Sequence, residues 1–137
     1  MIQGDIEMNV RFVTKRIHAF LDYPVAFSLM TAPLLLGLGS SHPMARWLAI
    51  GTGIAALVLT LLTNHHLGVF RVLPYKLHLA VDFAVGITFW VAPFVFRFSG
   101  IDAWYYWANA GAVLLVVSLH KPATSEAADE TSQLVAA

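Results

Sequence analysis

The side chains best suited to chemistry recur in one short pattern. Arg16-Ile17-His18-Ala19-Phe20-Leu21-Asp22 is followed by Lys76-Leu77-His78-Leu79-Ala80-Val81-Asp82, each opening a long apolar run. A spacing of four places His and Asp on one face of a helix, about 6 Å apart along its axis. Imidazole and carboxylate together can pair with each other, hold zinc, iron or another divalent ion, or relay protons. His65, His66 and His120, with Asn64, close the apolar runs that follow and extend the candidate set. If a metal binds, the expected ligands are His18, Asp22, His78 and Asp82. A bis-histidine haem using His66 and His120 is a further alternative. The first expectation is mutual pairing of the His and Asp residues across the two copies, with no cofactor.

Other chemistries lack their residues. The chain has no cysteine, which removes disulfides and thiolate sites. There is no Gly-x-Ser-x-Gly elbow, no His-Glu-x-x-His helix and no dinucleotide fingerprint. Eight basic residues balance eight acidic ones, so no broad basic surface is available for nucleic acid.

The elements that must position these residues follow from hydropathy. Hydrophobic residues make up 58% of the chain against 12% charged, and mean hydropathy is +0.71. That composition predicts an all-α integral membrane protein. Four transmembrane helices are expected at about 17–39, 44–62, 77–98 and 103–120. A lead-in over 1–15 precedes the first repeat, 16–64; a cytoplasmic connector, 65–75, leads to the second repeat, 76–121. A disordered acidic tail over 122–137 follows.

A shift of sixty residues pairs His18 with His78, Asp22 with Asp82, Ala32-Pro33 with Ala92-Pro93, Trp47 with Trp107 and Gly51 with Gly111. Each unit is therefore read as a two-helix hairpin present twice. An even number of crossings per unit makes the copies parallel, with pseudo-twofold symmetry along the membrane normal. Arg11, Lys15, Arg16, Arg71, Lys76 and Lys121 then share one side, which the positive-inside rule makes cytoplasmic. Both termini are expected there, in a multi-pass protein of the inner (plasma) membrane. Trp47, Trp104, Tyr105, Tyr106 and Trp107 are expected as anchors at the opposite interface. Pro24, Pro33 and Pro93 are expected to bend the first and third helices. Gly51 and Gly53, with Gly111-Ala112, are expected to admit a neighbouring helix closely.

The duplicated hairpin resembles the SPW-repeat integral membrane proteins, named for a Ser-Pro-Trp motif on the first helix of a two-helix repeat. The likeness rests on His18/Asp22 with Ala32-Pro33-Leu34, and on His78/Asp82 with Ala92-Pro93-Phe94. Of the motif only the proline stands here. The resemblance implies a small bacterial or archaeal membrane protein, and it brings no catalytic residue.

The sequence thus points first to a non-enzymatic structural or interaction subunit in the lipid bilayer. Its His/Asp pairs would act as intramembrane locks, and its partner would be a second copy or a larger membrane complex. A metal-, haem- or proton-handling protein is the alternative, and a lipid- or quinone-binding module using the aromatic residues and proline bends is the third.

Overall fold

The computed structural model describes residues 11–120 and 131–137. Four long helices carry the fold: α1 Lys15–Leu35, α2 Met44–Leu62, α3 Tyr75–Val95 and α4 Gly100–Ser118. A short exposed helix over 131–136 lies in the segment expected to be disordered; residues 122–130 of that tail, and Lys121 at the end of the second repeat, lie outside the described residues. Among the described residues the only β pairing is two isolated bridges, Val13 with His120 and Thr63 with Leu73. Two of the helices, α2 and α3, are long and apolar enough to cross a membrane, with mean hydropathies of 1.8 and 1.6.

α1 packs along α2, and α3 along α4, so the chain is two helical hairpins. Small residues set how closely they approach. A Cβ on Gly53 would lie 2.9 Å from the Ala26 carbonyl oxygen and 2.8 Å from the Met30 side chain, so the α2 backbone there lies close against both backbone and side chains of α1. Gly51 and Gly111 have nothing within 4 Å. The close glycine of the second hairpin is instead Gly86 on α3, against Leu114. Helical periodicity explains the correction: Gly51 and Gly53 lie about 200° apart around their helix, so only one of them can face α1.

The odd helices begin and end sixty residues apart, as the repeat predicts, whereas the even helices begin and end 56 apart. Both odd helices end earlier than their apolar runs because Pro33 and Pro93 each start the same terminator. Leu38 N–H donates to the Pro33 carbonyl and Phe98 N–H to the Pro93 carbonyl, both at 2.9 Å. Gly37 and Arg97 take the intervening left-handed conformation, at φ 65° and 55°. This is a Schellman-type C-cap. The prolines therefore lie in the last turn of helices that continue through them, as α1 also does through Pro24.

At the start of α1 and the end of α2 the backbone is also satisfied locally. Thr14 caps α1 by accepting from Ile17 N–H at 3.2 Å. The connector after α2 folds back on that helix: Val69 and Phe70 donate to the Leu61 carbonyl, and Val72 and Leu73 to that of Leu62. Carbonyls that a helix end leaves unpaired are thereby filled by the connector.

The core lies towards the α1–α2 and α3–α4 turns. Leu29, Leu38, Ala45, Ala49, Phe89, Phe98 and Tyr106 pack there. Tyr106 is fully buried between the rings of Phe89 and Phe98, at 4.6 and 4.9 Å. Its hydroxyl donates to the Ala45 carbonyl at 3.0 Å, joining α4 to α2. Tyr105 is buried as well. Neither is the surface anchor expected of it, because the face of α4 carrying Asp102, Tyr106 and Ala110 turns inward. Trp47 and Trp104 are exposed, and Trp107 is half-buried against Phe94.

Candidate functional site

At the start of α1 and α3 the two His/Asp pairs meet in one cluster. His18 Nε2 lies 2.7 Å from Asp82 Oδ2 on the other hairpin and 3.3 Å from Asp22 Oδ1 on its own helix. His78 Nε2 lies 3.3 Å from Asp22 Oδ2 and 3.3 Å from Asp82 Oδ2. Each imidazole thus faces both carboxylates, and each carboxylate faces both imidazoles. The four donor atoms lie within 4.8 Å of one another. The His rings are buried and cross nearly at right angles, their centroids 5.6 Å apart.

The outward nitrogen of His78 fixes what its inward nitrogen can be. Thr63, buried at the end of α2, has its Oγ1 2.6 Å from the Leu59 carbonyl and 2.8 Å from His78 Nδ1. A hydroxyl has one proton, and a carbonyl can only accept. Thr63 therefore donates to Leu59, and His78 Nδ1–H must donate to Thr63. In the neutral ring, Nε2 then presents a lone pair to two carboxylates. That arrangement repels unless a positive charge sits between them.

The other histidines form an incomplete second ring. His120 approaches His18, with centroids 5.8 Å apart, and its Nδ1 is 3.5 Å from the Tyr75 hydroxyl. His65 is buried 6.0 Å from the His78 ring, and neither of its ring nitrogens has a hydrogen-bond partner among the described residues. Burial holds its pKa below the ordinary 6.5, against the raising effect of Asp22. His66 and Asn64 are exposed, and His42 lies against Phe96 and Phe98 at the opposite end. The structure therefore gathers His18, Asp22, His78 and Asp82 into the site, sets His65 and His120 beside it, and leaves His66 outside.

Comparison with protein-family models, with curated proteins and with solved structures finds no match.

Two positioning residues were not singled out from the sequence. Thr63 reads there only as part of the stop after α2, and nothing in its neighbourhood signals an imidazole partner. Asp102 carried a visible signal, a single carboxylate in the first turn of an apolar helix. It is fully buried and accepts from Gly39 N–H at 2.9 Å and from Ser41 N–H at 2.8 Å, as well as from the Ser41 hydroxyl. The helix N-terminus further favours its charge. Asp102 thus ties α4 to the α1–α2 turn, at the end of the bundle opposite the quartet.

Proposed function

We propose that the protein is a four-span membrane protein whose two hairpins share an intramembrane site for a divalent transition-metal ion. The membrane reading is supported by large apolar side chains exposed on every helix, among them Phe20, Phe27, Val58, Trp90, Phe94 and Trp104. A water-soluble monomer rarely leaves so many large apolar side chains uncovered on all of its long helices. On this reading the hairpins are parallel copies, the membership suggested by the SPW-repeat resemblance applies, and both termini face the cytoplasm.

The quartet carries the functional reading. Two carboxylates and two neutral imidazoles need two positive charges, and one divalent ion supplies both. Zinc bonds of 2.0–2.1 Å give a tetrahedral donor-to-donor edge of about 3.4 Å. With one oxygen taken from each carboxylate, Asp22 Oδ2 and Asp82 Oδ2, both separations from His78 Nε2 are 3.3 Å. His78 also has the outer hydrogen bond, to Thr63, that fixes the tautomer of a metal-ligating ring. A site with four protein ligands suits a structural or storage role better than hydrolysis, which needs an open position.

The test is metal binding by chelator-stripped protein. About one Zn²⁺ or Co²⁺ per chain is expected, with the visible bands of tetrahedral Co²⁺, and both should be lost in Asp22→Asn/Asp82→Asn. Substoichiometric uptake without those bands would end the proposal.

The 2.7 Å separation of His18 and Asp82 favours a second reading, since it is the length of a charge-assisted hydrogen bond. Protons would then replace the ion, and the quartet would be a lock that sets the hairpins in register for a structural or interaction subunit. Stability lost in the same double variant without any metal uptake would identify it.

A further inference from the structure

Between the two polar junctions the hairpins part, and all four helices line a cavity of about 510 Å³. It begins at His18, Asp22 and Asp82 and follows α1 to Leu29, a distance of about 16 Å at 1.5 Å per residue. Its walls are mostly aliphatic, including Val25, Leu59, Val85, Ala112 and Val116, with Thr52 and Asn109 as polar exceptions beyond the quartet; the Asn109 amide is already engaged with the Tyr105 carbonyl. No Phe, Tyr or Trp lines it, so it offers a planar ring nothing to stack on. At about 30 Å³ for each water-sized group, the volume matches about 17 groups, the bulk of one long chain.

The polar end defines the other part of the ligand. Asp82 meets both imidazoles through Oδ2, which leaves Oδ1 as an acceptor. The Asp82 and Asp22 side chains are 20% and 12% exposed, and both line the cavity. Carboxylates accept hydrogen bonds and repel an anionic headgroup. We infer that this cavity binds a single-chain lipid with an uncharged hydroxyl headgroup, the chain lying among the four helices and the hydroxyl donating to Asp82. The inference takes the ligand's source, the bilayer, from the membrane reading. It holds whether an ion or protons supply the positive charge of the quartet, because Oδ1 is spared in both.

The experiment uses the full chain in diacyl-lipid nanodiscs with a photoreactive diazirine analogue of 1-hexadecanol, mapping the labelled residues by mass spectrometry. Labelling is expected at Val85, Val113 and Val116. Unlabelled 1-hexadecanol should compete about ten-fold better than hexadecyl methyl ether or hexadecanoic acid, the size expected of one hydrogen bond to a charged acceptor. Ala112→Phe, which fills the wall, should abolish labelling, while Ala108→Phe on the exposed face of α4 should leave it unchanged. Equal competition by alcohol, ether and acid would mean that any chain fills the space, and would overturn the headgroup assignment. Better competition by the acid would overturn it as well. Labelling that persists in Ala112→Phe would overturn the cavity as the site.

Discussion

Replacing Thr63 with Val tests the proton logic of the site without touching a candidate ligand. Valine keeps the shape of threonine and removes its hydroxyl. Two contacts go together: the 2.8 Å bond from His78 Nδ1–H and the 2.6 Å bond to the Leu59 carbonyl. Both His78 and Thr63 are buried, so no water replaces the lost acceptor cheaply. A buried donor left unpaired costs about 1–3 kcal/mol. The ring also loses the contact that fixes its tautomer, and removal of such an outer partner typically weakens metal binding about 10–100-fold. Thr63→Val should therefore weaken Zn²⁺ binding by about that factor and lower the unfolding temperature, whereas Thr63→Ser should retain most of both. Binding would be measured by competition with a chromophoric chelator, and stability by thermal unfolding in the same nanodiscs. A Val variant that binds Zn²⁺ and unfolds as wild type would refute the assignment of His78 Nδ1 as donor to Thr63.

Asp102→Asn should destabilise the protein by about 2–4 kcal/mol, because an amide nitrogen would face either Ser41 N–H or Gly39 N–H where a carboxylate now accepts; chemical denaturation would measure it. Gly53→Ala should cost about 1–3 kcal/mol against the fixed Ala26 carbonyl, while Gly51→Ala, in open space, should be neutral or stabilising by up to about 1 kcal/mol; paired melting curves separate the two. For His65, burial lowers the folded-state pKa below 6.5, so the unfolded chain binds the extra proton first. Stability from this group is full above pH 6.5 and falls with pH below it. His65→Leu should flatten that acid-side loss, as read from unfolding midpoints between pH 7 and pH 5.

Much of the frame was legible along the chain. Apolar runs place four helices within a few residues, because a helix is set by local hydrogen bonds and side-chain periodicity. The sixty-residue repeat pairs α1 with α3, and the i, i+4 spacing puts each His beside its own Asp. The repeat is less informative for α2 and α4, whose bounds differ by 56 residues. There the turns differ: Pro43 precedes α2, while α4 begins at Gly100 and brings Asp102 into the first turn.

What the sequence determined by itself is therefore the set of helices, the duplication and the residue types at the start of α1 and α3. Only the tertiary structure decided that His18 reaches Asp82 and His78 reaches Asp22, that Thr63 orients one of the rings, that Tyr106 turns inward, and that a cavity opens beneath the quartet. Periodicity says which residues share a face of one helix. Which face meets which neighbour depends on close contacts such as Gly53 against Ala26 and on polar ties such as Asp102 to the α1–α2 turn, and these join residues far apart in the chain.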